Sequence, residues 1–173
     1  HQVQKQLMLI STYNQISMSG GYVNNWTTGE YLKHVKSLYK KYPKANILLC
    51  RDHAGPGFAE SIPDIEELYK NLVYDAARGF GLIHLDFCHA GSHDDIMKDT
   101  LQAMSICKEV NPHIKFEIGT DAITGELTSP DALREMLVWF TPEFYVVNTG
   151  SLVRDTRQAG TFNLENTKRC TQI

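Results

Sequence analysis

Five short apolar runs, at 7–10 (LMLI), 47–50 (ILLC), 82–87 (LIHLDF), 114–118 (IKFEI) and 144–147 (FYVV), are separated by stretches with helical spacing. No other feature constrains the fold as tightly. Runs that stay apolar instead of alternating suit strands covered on both faces, as in a parallel sheet. Between them, Ile62, Ile65, Leu68, Leu72 and Ala76 recur at steps of three or four and mark one buried helix face over 62–79. The segments 94–110 and 130–140 read as further helices, and a weaker one starts near 163. Two helix starts are also legible. TTGE at 27–30 makes a capping box of Thr27 and Glu30. SPDALREM puts Ser129 at an N-cap, Pro130 at the first helical position and Asp131 near the positive helix end.

Strands that alternate with helices imply right-handed crossovers and a parallel sheet. The choice lies between a (β/α)8 barrel and an open doubly wound sheet. Neither GxGxxG nor GK[ST] follows the first strand, which weakens nucleotide-binding versions of the open sheet. A full barrel typically takes about 250 residues, whereas these 173 residues hold about five units. The expectation is an α/β fold of the (β/α)8 TIM-barrel type, one domain over 1–173, incomplete because strands are missing, disordered or supplied by a partner. Opening on His1 and stopping at Ile173 inside a helix-like stretch, the chain reads as a fragment.

Composition excludes several functions. A net charge of -3 without a basic stripe argues against nucleic acid as the main partner. No apolar run approaches the roughly 18 residues that span a bilayer, so no membrane partner is expected. Cys50, Cys88, Cys107 and Cys170 lie far apart with no CxxC pair, which disfavours a disulfide framework and fits a reducing, cytoplasmic setting.

In either architecture the functional site lies at the carboxyl ends of the strands. Those ends read STYNQISMSGGY, RDHAGPG, HLDFCHAG, EIGTDAITGE and NTGS, polar in all five cases. Adjacent Asp52 and His53 cannot point the same way along an extended strand, so one faces the mouth and the other the following loop. A carboxylate with an imidazole suits a divalent metal such as zinc; equally, Asp52 can cap a loop and His53 can be a satisfied buried histidine. His84, inside a strand, reads as packed rather than ligating, and His89 is better placed. Glu117 and Asp86 each interrupt an apolar strand, where an unpaired carboxylate is costly; each either pairs with a cation or faces the site, and the site is favoured. Gly150 and Ser151 offer donors to a phosphate, a weak signal, while Arg154 and Arg157 read as solvated charges.

Taken in order, YNQISMSGGY, ILLCRDHAGPG, GFGLIHLDF and EIGTDAITGE resemble the tagatose-bisphosphate aldolase accessory-subunit family of class II aldolase-like proteins, over about residues 7 to 126. The resemblance implies a (β/α)8 barrel related to zinc-dependent ketose-bisphosphate aldolases. It also implies roles: Asp52 as the proton-transferring group, His53 as a metal ligand and Glu117 as a metal-associated carboxylate. Read from the strand ends rather than from the resemblance, Asn14 and Gln15 would orient substrate hydroxyls in an enzyme, Gly20 and Gly21 would let backbone approach the substrate, and Asp86, Gly150 and Ser151 would add substrate contacts. Two departures stand out. Arg51 replaces a small residue, and the later histidines of the catalytic relatives have no counterpart before Ile173.

Three functions follow as expectations. The first is a metal-dependent aldolase-type lyase or epimerase acting on a ketose or ketose phosphate. The second is a non-catalytic subunit that stabilises an aldolase partner, with Arg51 standing electrostatically where the metal would be. The third is an open-sheet module that binds a small sugar or phosphate; a homo-oligomer fits any of them.

Overall fold

The computed structural model describes residues 5–56, 64–87, 91–119, 127–150, 152–155 and 157–173. Strand and helix alternate as β1 (Gln6–Thr12), α1 (Thr28–Lys41), β2 (Asn46–Ala54), α2 (Ile65–Ala77), β3 (Phe80–Leu85), α3 (His93–Val110), β4 (Lys115–Gly119), α4 (Pro130–Trp139) and β5 (Phe144–Val146). A two-residue pair, β6 (Val153–Arg154) and β7 (Arg157–Gln158), and α5 (Leu164–Cys170) complete the order.

The helix starts follow their sequence signals. Thr27 and Glu30 close a capping box on α1, and Ser129 accepts from the Ala132 amide with Pro130 behind it on α4. Ser92 and Asp95 form a second capping box on α3 that the hydrophobic spacing did not announce.

β1 to β5 form one parallel sheet in sequence order, β1-β2-β3-β4-β5. That order lacks the reversal that defines a doubly wound sheet. A consequence is that all the packed helices share one face. α1 covers Leu9, Ile47, Leu49 and Phe80 through Tyr31, Leu32 and Val35. α2, α3 and α4 cover Ile83, Leu85, Phe116, Ile118 and Tyr145 through residues such as Leu68, Leu72, Met104, Cys107 and Met136. The register places Ile83 beside Phe116 and Ile118 beside Tyr145, which confirms the shared face.

Because successive strand residues point to opposite faces, the other face carries Met8 and Ile10, then Cys50 and Asp52, Leu82 and His84, Glu117 and Gly119, and Phe144 and Val146. No described helix covers it. Met8 and Ile10 on β1 and Phe144 and Val146 on β5 are exposed, whereas Cys50 and Leu82 in the middle are buried. Among the described residues β1 and β5 each pair on one side only. What is observed is a βα repeat of five units; closure into a barrel is not part of it.

Candidate functional site

Two crossed carboxylate–histidine pairs join the carboxyl ends of β2 and β3. Asp52 Oδ1 lies 2.7 Å from His84 Nδ1, and Asp86 Oδ2 lies 2.9 Å from His53 Nδ1. The backbone sets up this crossing. Asp52 belongs to the helix-free face by its strand position, as do His84 and Asp86 on β3 and its extension. His53, the next residue, would point the other way if the chain stayed extended. It does not: His53 has φ 47, and the register between β2 and β3 shifts between Arg51 and Ala54. This left-handed turn swings the imidazole back over the sheet end, at a cost of about 1–2 kcal/mol. Asp52 and His53 therefore both enter one cluster, contrary to the expectation that one of them turns into the loop. The Tyr13 amide donates to the Asp52 carbonyl and the Asp86 amide to that of Ala54, latching β1 and β3 to the end of β2.

Electrostatics follow from burial and from these bonds. The hydrogen bond from His84 holds the Asp52 carboxyl below its usual range, against the opposing effect of desolvation. Burial pushes His84 down, but the bond to Asp52 and the charges of Asp86, Glu117 and Asp52 outweigh it and hold the imidazole above its ordinary value. Cys50, on the same face, is pushed up to about 11 by burial and by the nearby charges of Glu117 and Asp52, so it is a neutral thiol here. Among the described residues the Nε2 atom of His84 is buried with no hydrogen-bond partner. Asp52, His53 and His84 offer ligand atoms within 4.8 Å of one another and could hold a metal ion. Two imidazoles and a carboxylate form a donor set that suits zinc, and an orphaned ring nitrogen among them fits such an ion.

Glu117 sits level with His84 in the β3–β4 register and on the same face, half-buried. Gln15 accepts from the Thr12 amide through its side chain, and the Asn14 carbonyl accepts from Tyr22; both residues shape the turn after β1. Gly20, at φ 101, lies in that turn too. A Cβ on Gly21 would fall 2.1 Å from the Gln15 carbonyl oxygen, and one on Gly150 would fall 2.1 Å from that of Thr161. The space beside these two glycines is filled by the chain itself. Ser151 and His89 lie outside the described residues.

Arg51 is placed differently from expectation. It points to the helix side, 1% exposed, with Nε 2.6 Å from Asp75 Oδ2 on α2. Nη1 donates to the carbonyls of Ser11, Thr12 and Ile16, Nη2 donates to Thr28 Oγ1, and the guanidinium stacks 4.8 Å from the Phe80 ring centre. It cannot stand in for a metal on the opposite face. Strand alternation forces this: if Asp52 faces the site, its neighbour Arg51 faces the helices.

Sequence reasoning missed His84 and Asp75. His84 stands two residues before Asp86 and so shares its face, a signal available from the strand alone. Asp75 lies three residues after Leu72 and seven after Leu68, on the buried helix face, where a carboxylate demands a cation. The fold and this cluster define a parallel α/β repeat protein with a carboxylate–histidine site at its strand ends. No family model and no curated protein matches the chain. Among the described residues no helix is long and apolar enough to cross a membrane.

Proposed function

We propose that this chain forms part of a (β/α)8 barrel and that it acts as a divalent-metal-dependent aldolase-type enzyme, a carbon–carbon lyase or epimerase for a ketose or ketose phosphate. The observation that carries the reading is the convergence of Asp52, His53 and His84, with Asp86 behind them, at the carboxyl end of a parallel sheet. The resemblance of YNQISMSGGY, CRDHAGPG, IHLDF and EIG to the aldolase accessory-subunit family supports the substrate class.

Zinc in this group would supply Lewis-acid polarisation of the substrate carbonyl, worth several kcal/mol. The chain's own groups divide the remaining work. Asp52 uses Oδ1 to hold His84, while Oδ2 is left to exchange a proton with the hydroxyl at the bond being cleaved. Since its carboxyl is held low, Asp52 enters the reaction ionised and receives the proton first. His53, half-exposed at the rim and braced by Asp86, meets the substrate before the buried groups do.

The test is retro-aldol cleavage of a panel of ketose phosphates by the zinc-loaded protein, with Asp52→Asn beside it. Turnover should fall about 10²–10⁴-fold in the variant, the range for losing a positioned acid–base group. Equal rates in the two proteins remove Asp52 from the mechanism.

A second reading is favoured by the exposed apolar residues on the two edge strands, Met8, Ile10, Phe144 and Val146. A non-catalytic subunit that docks against an aldolase chain would cover them. Co-purification with such a chain, with no metal retained and no cleavage, selects this reading over the enzyme.

A further inference from the structure

We infer that the free edge of β1 and the groove beside it bind an extended segment of a partner polypeptide, apolar along its length and acidic at one end. None of Asp52, His53 and His84 lines this groove. β1 pairs with β2 over seven unbroken positions, and among the described residues no strand pairs with its other side. Such an edge is a ready template for another strand, and proteins usually blunt it with charges, prolines or bulges. QLMLIST carries no charge and no proline, and its register with β2 has no bulge. Leu7, Met8 and Ile10 along it are each at least half exposed.

On the helix side of this edge lies a groove of about 780 Å³ between β1 and α1, lined by Leu7, Leu9, Leu38 and Ile47. Successive side chains of an added strand would alternate between this groove and the face of Met8 and Ile10, and both are apolar. Lys41 and Lys44 also line the groove. They lead into β2 at Asn46, which stands beside Gln6 in the register, so their charges collect at the start of β1, where Lys5 is exposed too. The overall charge of -3 hides this local excess. Residues 28–44 carry five lysines against one acid, Glu30, whose carboxylate is held in the Thr27 cap. Negative charge on the partner complements them. A lipid headgroup or a nucleic-acid phosphate would meet the lysines but leave the outer backbone groups of β1 unpaired. A polypeptide satisfies both, with main-chain bonds supplying affinity and alternate side chains specificity.

Fluorescence anisotropy of labelled peptides tests this, with circular dichroism melts to show that each variant folds. The probe is a peptide of glutamates followed by alternating valine and threonine, both strand formers; its control carries lysines in place of the glutamates. The glutamate peptide should bind about tenfold tighter than the control or better, and added salt should narrow the gap. Lys41→Glu with Lys44→Glu should reverse the preference. Leu7→Ser should weaken binding of the glutamate peptide severalfold, because the groove loses part of its apolar lining. Equal binding of the two peptides, or a preference that survives the lysine reversal, overturns the acidic partner. Binding of neither peptide overturns the docking edge. Two further results overturn the proposal by naming another occupant: sedimentation in which the chain alone pairs with a second copy and Leu7→Ser abolishes the pairing, or binding to phosphatidylserine vesicles with neither peptide bound.

Discussion

Arg51→Met is the perturbation whose consequence the structure sets most firmly. The change keeps the length of the side-chain stem and removes the guanidinium, leaving Asp75 as a carboxylate 2% exposed with no cation beside it. Breaking a buried ion pair from one side costs about 3–5 kcal/mol. The carbonyls of Ser11, Thr12 and Ile16 lose a shared donor at the same time, although that of Thr12 keeps the Gln15 and Ile16 amides; a buried acceptor left without a partner adds about 1–3 kcal/mol. Relaxation and protonation of Asp75 limit the total, so a loss of about 4 kcal/mol is expected. Set against a typical stability of about 5–15 kcal/mol, that brings the chain close to unfolding. Urea denaturation followed by circular dichroism measures it. The double variant Arg51→Met with Asp75→Leu supplies the control: exchanging a whole buried pair for apolar side chains is often neutral or better, so it should recover about 2 kcal/mol of the single variant's loss. A single variant within about 1 kcal/mol of wild type, or a double variant no better than the single, refutes the view that this pair is the structural hub beneath the site.

Stability should also depend on pH through the Asp52–His84 pair. Asp52's contribution is whole above its unfolded value near pH 4 and is lost as acid titrates the folded carboxyl, while that of His84 is whole below about pH 6.5 and is lost as the pH rises through the folded value. Melting temperature should therefore crest between about pH 4 and 6.5, and Asp52→Asn should flatten the crest; an unchanged profile in that variant contradicts the pairing. Gly21→Ala should destabilise by about 1–3 kcal/mol, since the new methyl meets the Gln15 carbonyl, and it should slow any ketose cleavage only in proportion to the folded fraction. A Gly21→Ala protein that melts like wild type shows that the turn after β1 yields more easily than its geometry suggests.

The alternation of strands and helices, and with it the parallel sheet, was legible in the residue order. Near-continuous apolar runs and helical spacing are local patterns, and burial on two faces writes them directly into the residue order. The caps at Thr27 and Ser129 were legible for the same reason, since a cap is a contact across three residues. Which titratable groups meet depends instead on how the strands pack together. The strand run LIHLDF hid His84 as a core residue because its partner, Asp52, lies 32 positions away on β2. Arg51 looked like a site group because it adjoins Asp52, yet alternation along the strand sent it to the helices and to Asp75, on a helix read only for its apolar stripe. His53 reached the cluster through a left-handed backbone turn that no local pattern signalled. Pairings across strands depend on register and on which face each residue takes, and both are settled by how the sheet packs.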